Sequence, residues 1–245
     1  MNILGIDIGG SAVKGAPVDT RTGKLLAERF RIETPDKTSP QHMGELIAEI
    51  AKHFRWRGRI GVGFPGVVQG STLRTSANLN KKFIDCDLGA LVTKATKCRV
   101  SVVNDADAAG LAEMRFGAGR GHKGAVLMLT LGTGVGSAMF YRGMLMPNTE
   151  LGHLPIDGKS AEKFISGSAR RLRDLSWKKW GTELGAYVRI LEKLLWPELI
   201  IIGGGVSDKH AKYFKYMKTR ARLAPAQFFN DAGIVGAALA ADDKA

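Results

Sequence analysis

LGIDIGGSAVKGA (Leu4–Ala16) and TLGTGVGSAMF (Thr130–Phe140) follow one design, more than a hundred residues apart. Each starts in an apolar run, passes through a glycine-rich middle and continues into a second short apolar run. This order predicts strand, tight turn and strand. Glycine lets backbone N–H groups approach a ligand with no Cβ in the way. A concavity of such groups binds phosphate oxygens. Two of them, one per half, are expected to grip a chain of phosphates across a cleft. The alternative is a pair of ordinary tight hairpins, which becomes less economical when the pattern recurs in the same context.

The chain around these stretches has 245 residues, 44% hydrophobic and 24% charged. This is a soluble globular composition, with length for one large domain or two small ones. No apolar run approaches the roughly 20 residues of a membrane span, so no membrane partner is expected. MNILGIDIGG enters directly into a strand-like run, without the basic and apolar segments of a signal peptide. Cys86 and Cys98 lack metal-ligand spacing, and so few cysteines suit a reduced, cytoplasmic setting. The 36 basic residues against 23 acidic ones give a net charge of +13. Such a balance favours a polyanionic partner, the alternative being a merely basic surface.

Strands are predicted over Met1–Ile8, its hairpin partner SAVKGAPVD, Lys24–Ile32, RIGVGFPGVV and RVSVVND. Helices are predicted over Gln41–Phe54, LGALVTKATK and ADAAGLAEMRFGAG. The cycle restarts with the second glycine hairpin. Helices over about Ala161–Leu175 and Thr182–Leu195, the strand ELIIIGGGVS, and helices over KHAKYFKYMKTRAR and DAGIVGAALAADD complete it. No long linker separates the halves.

DIGGSAVKG, GFPGVV, NDADAAGLAE, TLGTGVGSAMF and ELGH stand in the order found in sugar kinases of the ROK family, which this chain resembles over nearly its whole length. PNTELGHL and DGKSAEKFISGSAR resemble the branch that takes inorganic polyphosphate as phosphoryl donor. The resemblance implies an α/β protein of the actin-like (ribonuclease H-like) fold, with two α/β domains around a cleft. Residues 1–104 with about 225–245 would form the small domain, and 105–224 the large one. The implied reaction moves a phosphoryl group from polyphosphate, with ATP as a second donor, to the 6-hydroxyl of glucose. The alternative within the family is an ATP-dependent glucokinase or other hexokinase. A sugar-responsive DNA-binding regulator is disfavoured because the chain opens directly on the first hairpin, and no specific nucleic acid is expected. A homodimer is the expected assembly.

Phosphoryl transfer needs positioning, charge neutralisation and an acceptor for the hydroxyl proton. By resemblance Asp105 is the catalytic carboxylate and Asn104 a sugar ligand. Locally, an Asp before an alanine-rich helix also reads as an N-cap. Gly66, Asn78, Glu150, His153 and Glu162 are the further sugar-side residues the resemblance implies. Gly9, Gly10, Ser11 and Lys14 would hold the transferable phosphates, with Asp7 orienting Mg²⁺. Thr130, Gly132, Thr133, Gly134 and Gly136 would form the opposite phosphate wall, and Gly203, Gly204 and Gly205 an adenosine-side or polymer-side turn. Many ROK kinases carry a cysteine-rich zinc segment beside the histidine. The corresponding stretch here, LPIDGKSAEKF, has no cysteine, so no zinc is expected. Lys209, Lys212, Lys215 and Lys218 recur every third residue, and on a helix they would form a slowly drifting basic stripe or a solubilising face.

Overall fold

A computed structural model describes residues 1–35, 37–77 and 79–243. It divides into two compact units, Met1–Ala112 with Asp231–Ala245, and Glu113–Asn230.

The first unit begins with β1 (Asn2–Ile8) and β2 (Ala12–Asp19), an antiparallel hairpin closed by Gly9–Ser11. The predicted third strand is two short pieces, β3 (Lys24–Leu25) and β4 (Phe30–Glu33), both paired to β2. Pro17 supplies the break. Leu26 N–H donates to Pro17 O, but Pro17 has no N–H to return, so the ladder stops there. Helix α1 (Pro40–His53) starts at Ser39, whose hydroxyl caps His42 N–H, with Pro40 in the first turn. After it come β5 (Ile60–Phe64), the small pair β6 (Val68–Gln69) and β7 (Thr72–Leu73), α2 (Leu88–Thr96) and β8 (Val100–Asn104). Next is α3 (Asp105–Phe116), within which the division between the units falls. The sheet order is β3-β2-β1-β5-β8, with β1, β5 and β8 parallel.

The last helix, Ala232–Ala240, belongs to this unit and is buried on nearly every side. It lies directly on the backbones of β1 and β5. A Cβ on Gly5 would strike the Ile234 carbonyl, and one on Gly61 the Ala237 carbonyl. Small residues here set how closely the helix approaches.

The second unit repeats the strand pattern. β9 (Ala125–Leu131) and β10 (Val135–Tyr141) form the second glycine hairpin, extended by β11 (Met144–Met146). The small hairpin β12 (Pro155–Ile156) and β13 (Lys159–Ser160) follows. The helix expected over 161–175 is two, α4 (Glu162–Ile165) and α5 (Gly167–Leu172). Ser166 sits between them in extended backbone and caps Ala169 N–H at 3.0 Å, so the Ser-Gly-Ser run starts a new helix rather than continuing one. Helix α6 (Trp177–Leu195) begins five residues before the expected Thr182, because Ser176 caps it. Trp180, Leu184, Tyr187, Val188 and Leu191 form its buried stripe.

β14 (Leu199–Gly203) and β15 (Arg222–Pro225) run parallel to β9, giving the order β11-β10-β9-β14-β15. In each unit, then, a glycine hairpin flanks two further parallel strands. That duplicated topology is the actin-like fold.

The helix predicted over KHAKYFKYMKTRAR does not form. Ser207–Lys212 and Phe214–Tyr216 are 3-10 turns, and Arg222 already belongs to β15. Like charges three and four residues apart disfavour an α-helix there. Tyr213 is meanwhile drawn into the core, stacked on Trp177 at 5.7 Å and edge-on to Trp180 at 4.9 Å.

Candidate active site

In the first unit the candidate residues gather at the ends of β1, β5 and β8, where parallel strands of open α/β sheets present ligands. Asp7 is opposite Lys14 on β2 and beside Gly63 on β5. Burial raises its carboxyl above the ordinary aspartate range, and the Lys14 charge partly offsets this. A Cβ on Gly233, in the first turn of the last helix, would lie 2.8 Å from the Asp7 carboxyl carbon. Glycine there leaves the carboxylate its space.

At the hairpin tip, Gly9 N–H donates to Ala12 O at 2.9 Å. Thr34 closes the turn from outside. Its hydroxyl donates to Gly9 O and its N–H to Ser11 O, both at 3.1 Å. With those two carbonyls engaged, the exposed Gly10–Ser11 tip is left rich in donors, as an anion requires. The reading of the sequence missed Thr34, which lies in a stretch without a motif.

Asn104, not Asp105, caps α3. Its Oδ1 accepts from Ala106 N–H at 2.8 Å and Asp107 N–H at 3.0 Å, while Nδ2 donates to Gly66 O at 3.1 Å. Asn104 is only 6% exposed, so this amide also ties the β5 turn to α3. Asp105 is the first helical residue and half-buried. Its Oδ1 accepts from Ala106 N–H at 2.8 Å, which orients the carboxylate. Asn78 lies outside the described residues.

In the second unit, Gly132, Thr133 and Gly134 close the β9–β10 turn, with Gly132 N–H donating to Gly134 O at 3.1 Å. Thr130 and Gly136 face each other directly behind it. The helix α5 starts at this turn, since Ser168 N–H donates to Gly132 O at 3.0 Å. Gly203 pairs with Thr130, and Gly204 has a left-handed φ of 80° against the Leu131 backbone. Gly205 is exposed beside it. The two glycine runs, 74 residues apart in sequence from Thr130 to Gly204, thus form one wall.

Glu162, at the start of α4, also comes to this turn. Its Oε2 lies 3.4 Å from Val135 N and accepts its hydrogen. Glu150 precedes and His153 ends a 3-10 turn, with His153 Nε2 3.4 Å from Glu150 Oε2. Burial raises the Glu150 carboxyl; His153 counteracts this and Glu162 adds to it, so the three side chains share one electrostatic environment.

Groups that no motif reading singled out hold this turn in place. Ser137 is 1% exposed. Its hydroxyl donates to Thr149 O at 2.5 Å and accepts from Leu151 N–H at 3.1 Å. Tyr187 on α6 donates its hydroxyl to Leu151 O at 2.9 Å. A Cβ on Gly152 would overlap the Val135 carbonyl. Ser137 and Gly152 stand inside TLGTGVGSAMF and ELGH, motifs read for their other residues, and Tyr187 shows only as an apolar position on a helix.

Among the described residues no group of three His, Cys, Asp or Glu side chains is placed to hold a metal ion. None of their helices is long and apolar enough to cross a membrane.

The comparisons agree with this architecture. A family model described as ROK family matches residues 3–169. The chain is 42% identical over 238 residues to a polyphosphate glucokinase of Mycobacterium tuberculosis, covering 97% of this chain and 90% of that one. It is 40% identical to the polyphosphate glucokinase of Mycobacterium leprae, covering 97% of this chain and 74% of that one. Among solved structures, the inorganic polyphosphate/ATP-glucomannokinase from Arthrobacter sp. strain KM aligns with a TM-score of 0.92 at 45% identity, covering 97% of each chain. Two glycine-hairpin units, the carboxylate at the start of α3 and near full-length similarity leave one conclusion: the chain belongs to the ROK family.

Proposed function

We propose that this protein is a polyphosphate–glucose phosphotransferase that transfers the terminal phosphoryl group of inorganic polyphosphate, and also of ATP, to the 6-hydroxyl of glucose. The observation that carries this reading is the 42% identity to a polyphosphate glucokinase, which extends over 97% of the chain. ATP as second donor is supported by the 45% identical glucomannokinase, which is named for both donors.

The local geometry supplies the parts such a reaction needs. Asp105 accepts the proton of the sugar hydroxyl as that oxygen bonds to phosphorus and the bond to the rest of the donor breaks. Its position at a helix N-terminus, oriented by the Ala106 N–H, keeps the carboxylate ready as an acceptor. Glu150, His153 and Glu162 bind sugar hydroxyls, as does Asn78. Asn104 contributes an amide N–H, because its oxygen is spent on the α3 cap. Gly66 offers a close backbone approach on the same side.

The Gly9–Ser11 tip with Lys14 holds the transferable phosphate. The Thr130, Gly132–Gly134 and Gly136 wall, with Gly203–Gly205, binds further donor phosphates. One carboxylate plus donor phosphates is a usual Mg²⁺ environment, and Asp7, given room by Gly233, fits it; the ion would neutralise phosphate charge. Zinc has no part in this scheme. The enzyme is read as a cytoplasmic homodimer with no specific nucleic-acid or membrane partner.

Purified protein should form glucose 6-phosphate from glucose with nucleotide-free polyphosphate and Mg²⁺, and separately with ATP. Mannose as acceptor in parallel reads sugar selectivity. Turnover with ATP alone would replace this reading by an ATP-dependent hexokinase of the same family.

A further inference from the structure

Between Ser207 and Arg222 the chain has six basic residues and one acid. The 3-10 turns that replace the expected helix change what these lysines do. In a 3-10 turn residues three apart eclipse, each step rising about 6 Å. On an α-helix the same spacing rotates about 60° per step and spreads four lysines over half the circumference. That spacing puts Lys209 and Lys212 on one side of the first turn, while Lys215 lies on the next turn and Lys218 in the irregular segment after it. All four are exposed, while Tyr213 and Met217 between them are buried.

Several of these cations are held in place. The Lys212 ammonium lies 6.0 Å from the Trp177 ring centre, and the Arg170 guanidinium lies 3.9 Å from the same ring. Lys215 lies 5.3 Å over Tyr216. Cations resting on aromatic faces lose less freedom when a ligand arrives. Lys209 pairs with Asp208, both half exposed, a surface contact that a polyanion readily replaces.

Both basic elements also leave from the phosphate wall. Gly204 O accepts from Ser207 N–H at 3.1 Å and from the Ser207 hydroxyl at 2.9 Å. Helix α5, which carries Arg170, starts at Gly132.

We infer that Lys209, Lys212, Lys215 and Lys218, with Arg170, form a track for the distal part of a long inorganic polyphosphate whose reacting end lies at the glycine turns. This rests on the proposed function and deepens it. Short donors end before the track and do not need it.

The test compares wild type with a variant carrying Lys209→Gln, Lys212→Gln, Lys215→Gln and Lys218→Gln. Tripolyphosphate, long-chain polyphosphate and ATP serve as donors across a salt series. By analogy with single-stranded nucleic acid, four contacts contribute about 0.7 each to the salt slope. The log–log slope of kcat/KM for the long chain should therefore fall by about 3. Its KM should rise about tenfold or more at moderate salt, while kcat and the tripolyphosphate KM stay within about twofold. The four-arginine variant should keep the wild-type KM.

A folded glutamine variant with unchanged long-chain KM and slope overturns the track and leaves the enzyme assignment standing. Equal weakening of tripolyphosphate also overturns it. A wild-type protein that uses no polyphosphate removes the proposed function itself. If oligothymidylate binds wild type more tightly per phosphate than polyphosphate does, and the glutamine variant loses that binding, the surface serves nucleic acid instead.

Discussion

Gly233→Ala separates the support of the candidate site from the stability of the fold. The new methyl carbon would lie 2.8 Å from the Asp7 carboxyl carbon and 2.9 Å from Oδ1. Ordinary contact begins near 3.4 Å, so the carboxylate or the helix start must yield by roughly 0.6 Å. The helix itself gains from the change, since alanine is up to about 1 kcal/mol better than glycine in a helix. The atoms met are a side-chain end, whereas Gly233 is fixed in the helix backbone, so the Asp7 carboxylate is the group expected to move. Misplacing a catalytic group by about 1 Å costs on the order of 10²-fold, which puts the expected loss of kcat between about 10- and 100-fold. The Mg²⁺ concentration for half-maximal rate should rise with it. Steady-state rates over a Mg²⁺ titration, with a thermal melt of the same preparation, read both effects. Wild-type rate and Mg²⁺ dependence at unchanged Tm would refute the role given to Asp7. A large fall in Tm would show that the helix, not the carboxylate, had yielded.

Asp105→Asn should keep fold and glucose binding, measured by melting and calorimetry, and lose about 10²- to 10⁴-fold in kcat, the usual worth of a general base. Near-normal turnover would exclude Asp105 as the proton acceptor. Ser137→Ala removes the hydroxyl that joins Thr149 and Leu151 and should cost about 1–3 kcal/mol in denaturant unfolding, with a raised glucose KM, because buried partners are left unpaired. An unchanged glucose KM would detach Ser137 from the sugar turn.

Glu150 has its carboxyl raised in the folded protein. Its contribution to stability is therefore present below the ordinary glutamate pKa and lost as pH rises through the raised value. Glu150→Gln should raise Tm at pH 7, and the gain should vanish on acidification below the glutamate range. A gain that persists in acid would contradict a buried, reluctant carboxylate.

Much of the framework was legible in the chain itself. The two glycine hairpins were, because an apolar run, a glycine turn and a second apolar run leave few other local solutions. So were the long amphipathic helices, whose buried residues recur at helical spacing. The sequence placed the candidate carboxylate Asp105 at the end of a strand, just before a helix; the structure makes it the first residue of that helix. Residues near a boundary were harder. Asn104 and Asp105 are both good caps, and only the fold shows that Asn104 takes the role, because its amide can reach Gly66 O while closing the helix.

What tertiary structure alone decided are the features that depend on partners far along the chain. KHAKYFKYMKTRAR carries a helical look, yet its first part lies in two 3-10 turns and its end enters β15, because Tyr213 finds Trp177 and Trp180 and the repulsion between its lysines works against an α-helix. Ser137 reads as an ordinary strand residue until Thr149 and Leu151 arrive beside it. Gly233 reads as a flexible spot near a helix start until Asp7, 226 positions earlier, is found to need its space. Local pattern sets backbone preference within a few residues. Which side chain a buried polar group meets is fixed only once the sheet has brought distant segments within hydrogen-bond reach.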